Sequence, residues 1–498
     1  MRCTLIERKD APQFLPKMER CNARTMEIFR RMGIAEKVRA AGLRSDVPMD
    51  VYVILAMNRP PLLHHPYPSV AEARRHIDAC TDGSLPLEPY QLISQYTLEP
   101  LLKSVAEVLP SVTVRYGCEF LSLQQDDFEV RTKITADGRV FELKSKYLVG
   151  CDGGASAVRE QLGIGLSGEG DLLRLRQALY RCDELFARIP IGPGPGHGRH
   201  YHVADDKATF LIMQDSTKHW TLHATVERDE DMARQFEQTV GAPVKYEMLY
   251  VGEWKQNLLH ADHYGKGRVF LAGDAVHLVI PTGGLGMNGG VGDAVDLAWK
   301  LAGTLQGWGG PNLLASYEIE RRQVGERNVA ASRYASLGRR KWRSLWRNLD
   351  ELVKVAEVEQ RKSNEMIGAE LGYRYVGSPI VAEEPGGPEP DFREYVPTTW
   401  PGARLPHAWL EGHVALQDRL GPGYTLLRLG GCTEDVSGLK AAMGNTPFEI
   451  LDIPDAAARE LYGFDLILLR PDLHVVWRGN RAPAESRKLA SLATGHFP

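Results

Sequence analysis

The sequence predicts a mixed α/β protein of about three domains, on a prior of ~150 residues per domain. Three observations predict it. Short apolar strands run into Gly/Asp turns and then helices, at 148–159 and 267–305. Stretches 209–213, 220–226 and 245–254 alternate like strands of a half-exposed sheet. A Pro/Gly/acid linker at 383–390 (EEPGGPEP) then sets off a last block of strands, at 424–429, 448–453 and 465–477.

Taken in order, residues 2–6 read as a strand ending in Glu7-Arg8. From 22 to 38 apolar residues recur at helical spacing (Met26, Phe29, Ile34, Val38), interrupted by Gly33. Residues 96–108 read as a helix, and 112–148 as several strands with a turn at Asp137-Gly138. The stretch 291–305 predicts a helix with Val291, Ala294, Val295, Ala298, Leu301, Ala302 and Leu305 on one face. A long basic helical segment follows from 313 to about 368. Pro471-Asp472 between two apolar runs predicts a hairpin.

Composition excludes several classes. Of 498 residues, 43% are apolar and 25% charged, as in a soluble globular protein, and a net charge of -4 argues against nucleic acid or anionic lipid as a partner. The 7 cysteines (Cys3, Cys21, Cys80, Cys118, Cys151, Cys182, Cys432) form no CxxC pair, so reduced thiols in a cytoplasm are expected. No apolar run reaches the ~18 residues of a membrane helix. The opening residues are too short and charged for a secretory signal.

Three motifs carry chemistry. An acid at the tip of a strand, Glu7, suits ribose hydroxyls in a dinucleotide site, or simply ends a solvated turn. In LVGCDGGASAVR, Asp152 at a strand end suits either a ligand hydroxyl or the cap of the following helix, with Ser156 and Arg159 near the helix start. The third, GRVFLAGDAVH continuing through PTGGLGMNGG, is the most informative. A strand delivers Gly273 and Asp274 to its end, a glycine-rich turn lets backbone approach a flat ring, and a helix then points its first amides at that place. Such a device suits the negative charge that a reduced flavin carries near N1 and the C2 carbonyl. The G-x-G-x-x-G spelled by 284–289 does not directly follow a strand, so it is not a dinucleotide fingerprint.

The ordered set ERK, PKMERCNARTMEIFRRMGI, ISQYTLEPLL, GCDGGASAVR, GRVFLAGDAVHLVIPTGGLGMNGGVGDAVDLAWKLA and SYEIERRQVGERN resembles the FAD-dependent aromatic hydroxylases of the para-hydroxybenzoate/phenol hydroxylase type. The C-terminal PGARLPHAWL through DLILLRPDLHVVWRG resembles the thioredoxin-like domain appended to many members. The resemblance implies an FAD-binding Rossmann-like domain (1–73, 97–180, 256–382), a β-sheet substrate domain (74–96, 181–255) and a thioredoxin-like domain (391–498). It implies FAD, NADH or NADPH as co-substrate, O₂, and hydroxylation of a phenolic ring through a flavin C4a-hydroperoxide. By the same resemblance Glu7 binds the adenosine ribose, Arg8 lies beside the adenine, and Lys17 stands where many members have an arginine near the ribityl and phosphate groups. Gln95 contacts the flavin, Asp152 belongs to a motif shared by FAD and NAD(P)H contacts, and Asp274 binds the ribityl chain. Pro281, Gly284, Leu285, Gly286, Met287 and Asn288 line the isoalloxazine. No catalytic residue is assigned, and a homodimer is left open.

One departure stands out. Family members carry a strand and a G-x-G-x-x-G loop, ~25 residues in all, ahead of the glutamate-tipped strand. Nothing of that kind precedes Arg2, so the chain as written is expected to hold FAD poorly. The rival readings are a flavin-poor, inactive binding protein and a non-hydroxylating flavin oxidoreductase. His197, His200 and His202 lack a carboxylate or thiolate at ligand spacing, and no metal site is expected. Arg339, Arg340, Lys341, Arg343 and Arg347 read as a solvated helix face. Cys432 alone makes dithiol chemistry improbable.

Overall fold

The computed structural model describes residues 1–14 and 19–496; Lys17 lies outside them. The class is α/β, as the sequence predicts. Cys3–Ile6 pairs in parallel with Val112–Arg115, and Leu148–Gly150 in parallel with Val269–Leu271. An antiparallel meander of Cys118–Gln125, Val130–Ala136 and Arg139–Ser145 stands beside them. Its second turn is Asp137-Gly138, with φ of +50° and +70°, the paired left-handed geometry of a tight hairpin. The helical pattern after Asn22 divides at Gly33 (φ +73°) into Ala23–Arg31 and Ala35–Ala41, and the Asn22 side chain caps the first by accepting from Thr25 N–H.

The large sheet has eight strands, in the order His277–Leu278, Glu247–Ala261, Leu166–Arg181, His219–Ala224, Phe210–Met213, His200–Val203, Val51–Ile54 and Leu63–His65. It therefore draws strands from outside 74–96 and 181–255. Val51–Ile54, buried along its whole length, pairs in parallel with His200–Val203 and extends the sheet. Strand alternation gives each face its own chemistry. One face carries Tyr201, Leu211, Leu222 and Ala178, which pack with Met232 and Phe236 of the helix Asp231–Val240. The register puts His202, Phe210, His223 and Gln177 in one row of the opposite face, and His200, Ile212, Thr221 and Leu179 in the next. That face is not half-exposed as expected, because the long helix Pro311–Arg343 and the strand Arg20–Cys21 lie over it.

The glycine-rich helix runs Leu285–Gln306, starting six residues before the stretch read from the sequence. Its buried side is not the expected apolar stripe. Asp293, Asp296, Leu297, Lys300 and Leu301 are buried, whereas Ala294 and Ala298 are exposed and Leu305 is 41% exposed. Charged residues can turn inward here because each meets an opposite charge.

The C-terminal block has a four-stranded sheet, Phe448–Ile453, Tyr424–Leu429, Leu466–Leu469, Val475–Gly479, with one parallel and two antiparallel pairings and three flanking helices. Fully buried ions fasten it to the rest. Arg470 bonds Asp296 (2.8 Å), Glu320 (2.6 Å) and Asp472, and Lys300 bonds Asp296 (2.7 Å) and Glu320 (2.6 Å). Arg404 pairs with Glu27 nearby. Among the described residues, no helix is long and apolar enough to cross a membrane.

Candidate functional site

The strand Val269–Leu271 ends in the turn Gly273–Ala275, which lies against the first turns of the Leu285–Gln306 helix. Gly273 (φ +65°), Gly283 (φ +91°) and Gly284 (φ +68°) take backbone conformations that side chains disfavour. A Cβ on Gly290 would sit 3.2 Å from the Gly273 Cα, so bare backbone sets the spacing between turn and helix. No side chain caps the helix start. The Asp274 side chain is exposed and has no hydrogen bond or ion pair among the described residues. Pro281 is exposed too, and Gly284, Gly286 and Met287 are partly exposed, with Leu285 turned into the core.

A buried carboxylate holds this turn in place. Asp293 accepts the Gly273 N–H (3.0 Å), His277 Nε2 (3.0 Å) and Arg321 Nε (2.8 Å), while Arg321 also donates to the Gly289 carbonyl (3.1 Å). Burial raises the Asp293 pKa, but Arg321 and His277 outweigh it and bring it down to about 2. Burial likewise opposes charge on His277, yet Asp293 outweighs it and the imidazole pKa rises.

The polar face of the large sheet is the second half of the site. Phe210 and His223 stack at 4.3 Å, Trp254 meets His223 edge-on, and the Trp254 indole N–H donates to His223 Nδ1 (3.3 Å). Burial pushes His223 down to about 3, so its ring is neutral, and burial also lowers His200 and His202. Two adjacent residues connect the halves: Glu19 pairs with His200 (3.0 Å) and Arg199 (3.4 Å) of the sheet, and Arg20 donates to the Gly283 carbonyl (3.0 Å) of the glycine turn. Burial opposes ionisation of Glu19, but His200 and Arg199 outweigh it and hold the carboxyl well below the usual range.

The other expected site residues fall as follows. Glu7 Oε1 accepts the Lys9 N–H (2.8 Å), closing a turn, and Arg8 is exposed. Asp152 uses both oxygens on the helix Ala157–Gln161, from Ser156 Oγ (2.5 Å) and Val158 N–H (3.1 Å), so it acts as a cap. Gln95 opens the helix Gln95–Glu107 and, among the described residues, donates one turn forward to Glu99 (3.4 Å). Asn288 is buried and faces away from the open side of its helix: its oxygen accepts from Asn22 N–H and Thr25 Oγ1, and its amide nitrogen donates to the carbonyls of Arg20 and Gly284. Of the histidines, His197 stacks on Phe186, apart from His200 and His202. Arg340, Lys341 and Arg347 are exposed as expected, but two members of the basic run turn inward. Arg343 is buried, donating to His202 and to the Thr209 carbonyl, and Arg339 lies over the Phe210 ring; both side chains turn toward the sheet. Sequence reasoning missed Glu19, Arg20, Asp293 and Arg321. The i, i+4 spacing of Asp293 from Gly289, in a helix otherwise poor in charge, was the available signal for one of them.

The family model described as FAD binding domain matches residues 1–332, and that described as Aromatic-ring hydroxylase, C-terminal, matches 398–497. The chain belongs to the FAD-dependent aromatic-ring hydroxylases. It is an FAD-dependent aromatic monooxygenase. It is similar to the FAD-dependent monooxygenase apdD of Emericella nidulans, at 32% identity over 99% of this chain and 86% of that protein. Among solved structures it is similar to chromopyrrolic acid-soaked RebC with bound 7-carboxy-K252c (TM-score 0.89, 30% identity, 99% of this chain and 94% of that one). It is also similar to aklavinone-11 hydroxylase in a ternary complex with FAD and aklavinone (TM-score 0.83, 28% identity, 99% and 94%).

The residues of this hydroxylase fit a flavin. An unpartnered exposed carboxylate at Asp274 is suited to accept from a sugar-alcohol hydroxyl, the glycine backbone offers a surface without side chains, and the uncapped helix start presents donors to an electron-rich ring edge.

Proposed function

We propose that the chain hydroxylates a phenolic, polyketide-like fused aromatic substrate at the expense of NADH or NADPH, with the ring held between the glycine turn and the polar face of the sheet. The observation that carries this reading is the bridge through Glu19 and Arg20. It sets the Phe210–His223–Trp254 aromatic wall and the Gly283-Gly284 turn on two sides of one structural unit. Relatives named for aromatic polyketides, such as the aklavinone 12-hydroxylase RdmE of Streptomyces purpurascens (31% identical over 98% of this chain), support the size of the substrate.

On this reading Asp274 binds the ribityl chain, and Pro281, Gly284, Gly286 and Met287 line the isoalloxazine. Bound FAD supplies activation of O₂ and delivery of one oxygen atom to the ring. The protein's own part is placement and exclusion of water. Phe210, stacked against His223 and His202, and Trp254 offer an apolar edge to a fused ring. His223, whose Nδ1 accepts from Trp254 and whose Nε2 lies 3.4 Å from the Gln177 amide nitrogen, presents an uncharged ring rather than a cation. Glu7 serves the adenosine end and Asp152 serves the fold. Purified protein incubated with FAD should show flavin absorbance. It should also consume NADH or NADPH in proportion to hydroxylated product across a panel of hydroxynaphthalenes and hydroxyanthraquinones, with ¹⁸O₂ label in the product. Reduced cofactor consumed with peroxide as the sole oxygen product for every member would contradict it.

A further inference from the structure

One cation over the sheet face has no anionic partner among the described residues. Arg339 leaves the long helix toward Phe210, with its guanidinium carbon 5.5 Å from the ring centroid, and makes no hydrogen bond or ion pair among the described residues. Its Nε is buried and unsatisfied. The charges around it do not cancel. Glu19 is the carboxylate that attracts it most, and Glu19 is already held by Arg199 and His200. Arg343, one turn further along the helix, adds a second buried cation, bonded to the neutral His202 and a backbone carbonyl. Burial pushes the Arg339 guanidinium down to about 10, which still leaves it charged at neutral pH.

The same place is open. Phe210, Gln177, Trp254 and Arg339 remain partly exposed, whereas His202, Ile212, Thr221 and His223 around them are buried. Solvent therefore reaches the edge of the aromatic wall where the spare cation stands. An unpaired guanidinium kept in a largely buried position is costly unless something neutralises it. Its planar fork matches a carboxylate in two parallel hydrogen bonds.

We propose that Arg339 is the specificity residue for a carboxylate carried by the aromatic substrate, bound while the ring lies along Phe210 and Trp254. This rests on the pocket reading given under Proposed function. It narrows the substrate class to aromatic acids. The helix and the sheet thus divide recognition, the sheet taking the ring and the helix its charge.

The test uses FAD-loaded full-length protein and two isosteric probes, 6-hydroxy-2-naphthoate and 6-hydroxy-2-naphthamide, titrated by calorimetry and by perturbation of the flavin spectrum. The wild type should bind the naphthoate about tenfold or more tightly than the naphthamide. Arg339→Gln should bring the two within about twofold by weakening the acid alone, with naphthamide affinity and FAD content unchanged. Arg339→Lys, which keeps the charge without the fork, should retain part of the preference. Arg340→Gln, at an exposed neighbour, should behave as wild type. Equal wild-type affinities, or a preference that survives Arg339→Gln, would overturn the assignment while leaving the pocket intact. If neither probe binds the FAD-loaded wild type, the pocket reading falls and the assignment with it.

Discussion

Asp152 and Asp274 both end a short parallel strand beside glycine, and from the sequence both suited a ligand hydroxyl. Their surroundings separate them. Asp152 spends its two oxygens on the start of a five-residue helix, whereas Asp274 is left without a partner. Asp152→Ala should cost about 1 kcal/mol of stability, as loss of a helix cap does, seen as a lower urea midpoint. It should move FAD affinity by less than about threefold, because the effect on the site is indirect. Asp293 makes a sharper case. Removing it strands Arg321 and His277 in the interior, so Asp293→Ala should destabilise by about 3–5 kcal/mol, and Asp293→Asn by less, since it still accepts from Gly273. Equal stability of Asp293→Ala and wild type in denaturant titration would refute the role given to this carboxylate.

At the scale of elements, the two long helices decide where the site lies. The helix Leu285–Gln306 approaches the Gly273 turn through Gly290, and a methyl group there would sit 3.2 Å from the Gly273 Cα, so that backbone must shift to admit it. Gly290→Ala should therefore widen the turn and weaken FAD retention about tenfold or more, at a modest cost in stability, measured by fluorescence recovery of released flavin. Most of the elements were legible because their signals are local. Gly33 divided the first helix, Asp137-Gly138 turned a hairpin, and Pro471-Asp472 separated the last two strands. The stripe on the glycine-rich helix was misread because its burial is decided by partners distant in sequence. Asp296 and Lys300 can face inward only because Glu320 and Arg470 are there to meet them. Arg339 and Arg343 of the basic run were misread for the same reason: charge marks a solvated face only if no sheet lies against it. The turn at Gly273-Asp274 and the glycine-rich helix start were legible as structure since they lie close together in one stretch of sequence. Glu19 and Arg20 were not, because what they join is 180 and 263 residues away.

Across the whole molecule, the C-terminal block is joined through a buried set in which three carboxylates, Asp296, Glu320 and Asp472, face two cations, Lys300 and Arg470. Burial and the neighbouring Glu320 push Asp296 up to about 7, against the pull of Lys300 and Arg470, which makes it the carboxylate of the set that takes a proton first as pH falls. Its folded pKa lies above the unfolded value. The stability it contributes is therefore complete below about pH 4 and is lost as pH rises through about 7. Asp296→Asn should remove that component: its urea midpoint should gain on wild type as pH is raised from 5 to 8. Parallel pH profiles for the two proteins would refute this assignment of the proton.

In the proposed function Asp274 holds the ribityl chain of the flavin. The direct measurement is the equilibrium FAD dissociation constant of wild type, Asp274→Ala and Asp274→Asn, followed by flavin fluorescence quenching. A lost hydrogen bond to a charged acceptor is worth about 1.5–3 kcal/mol, so Asp274→Ala should bind FAD about 10- to 100-fold more weakly with the fold intact. An Asp274→Ala protein that retains FAD as tightly as wild type would contradict the account.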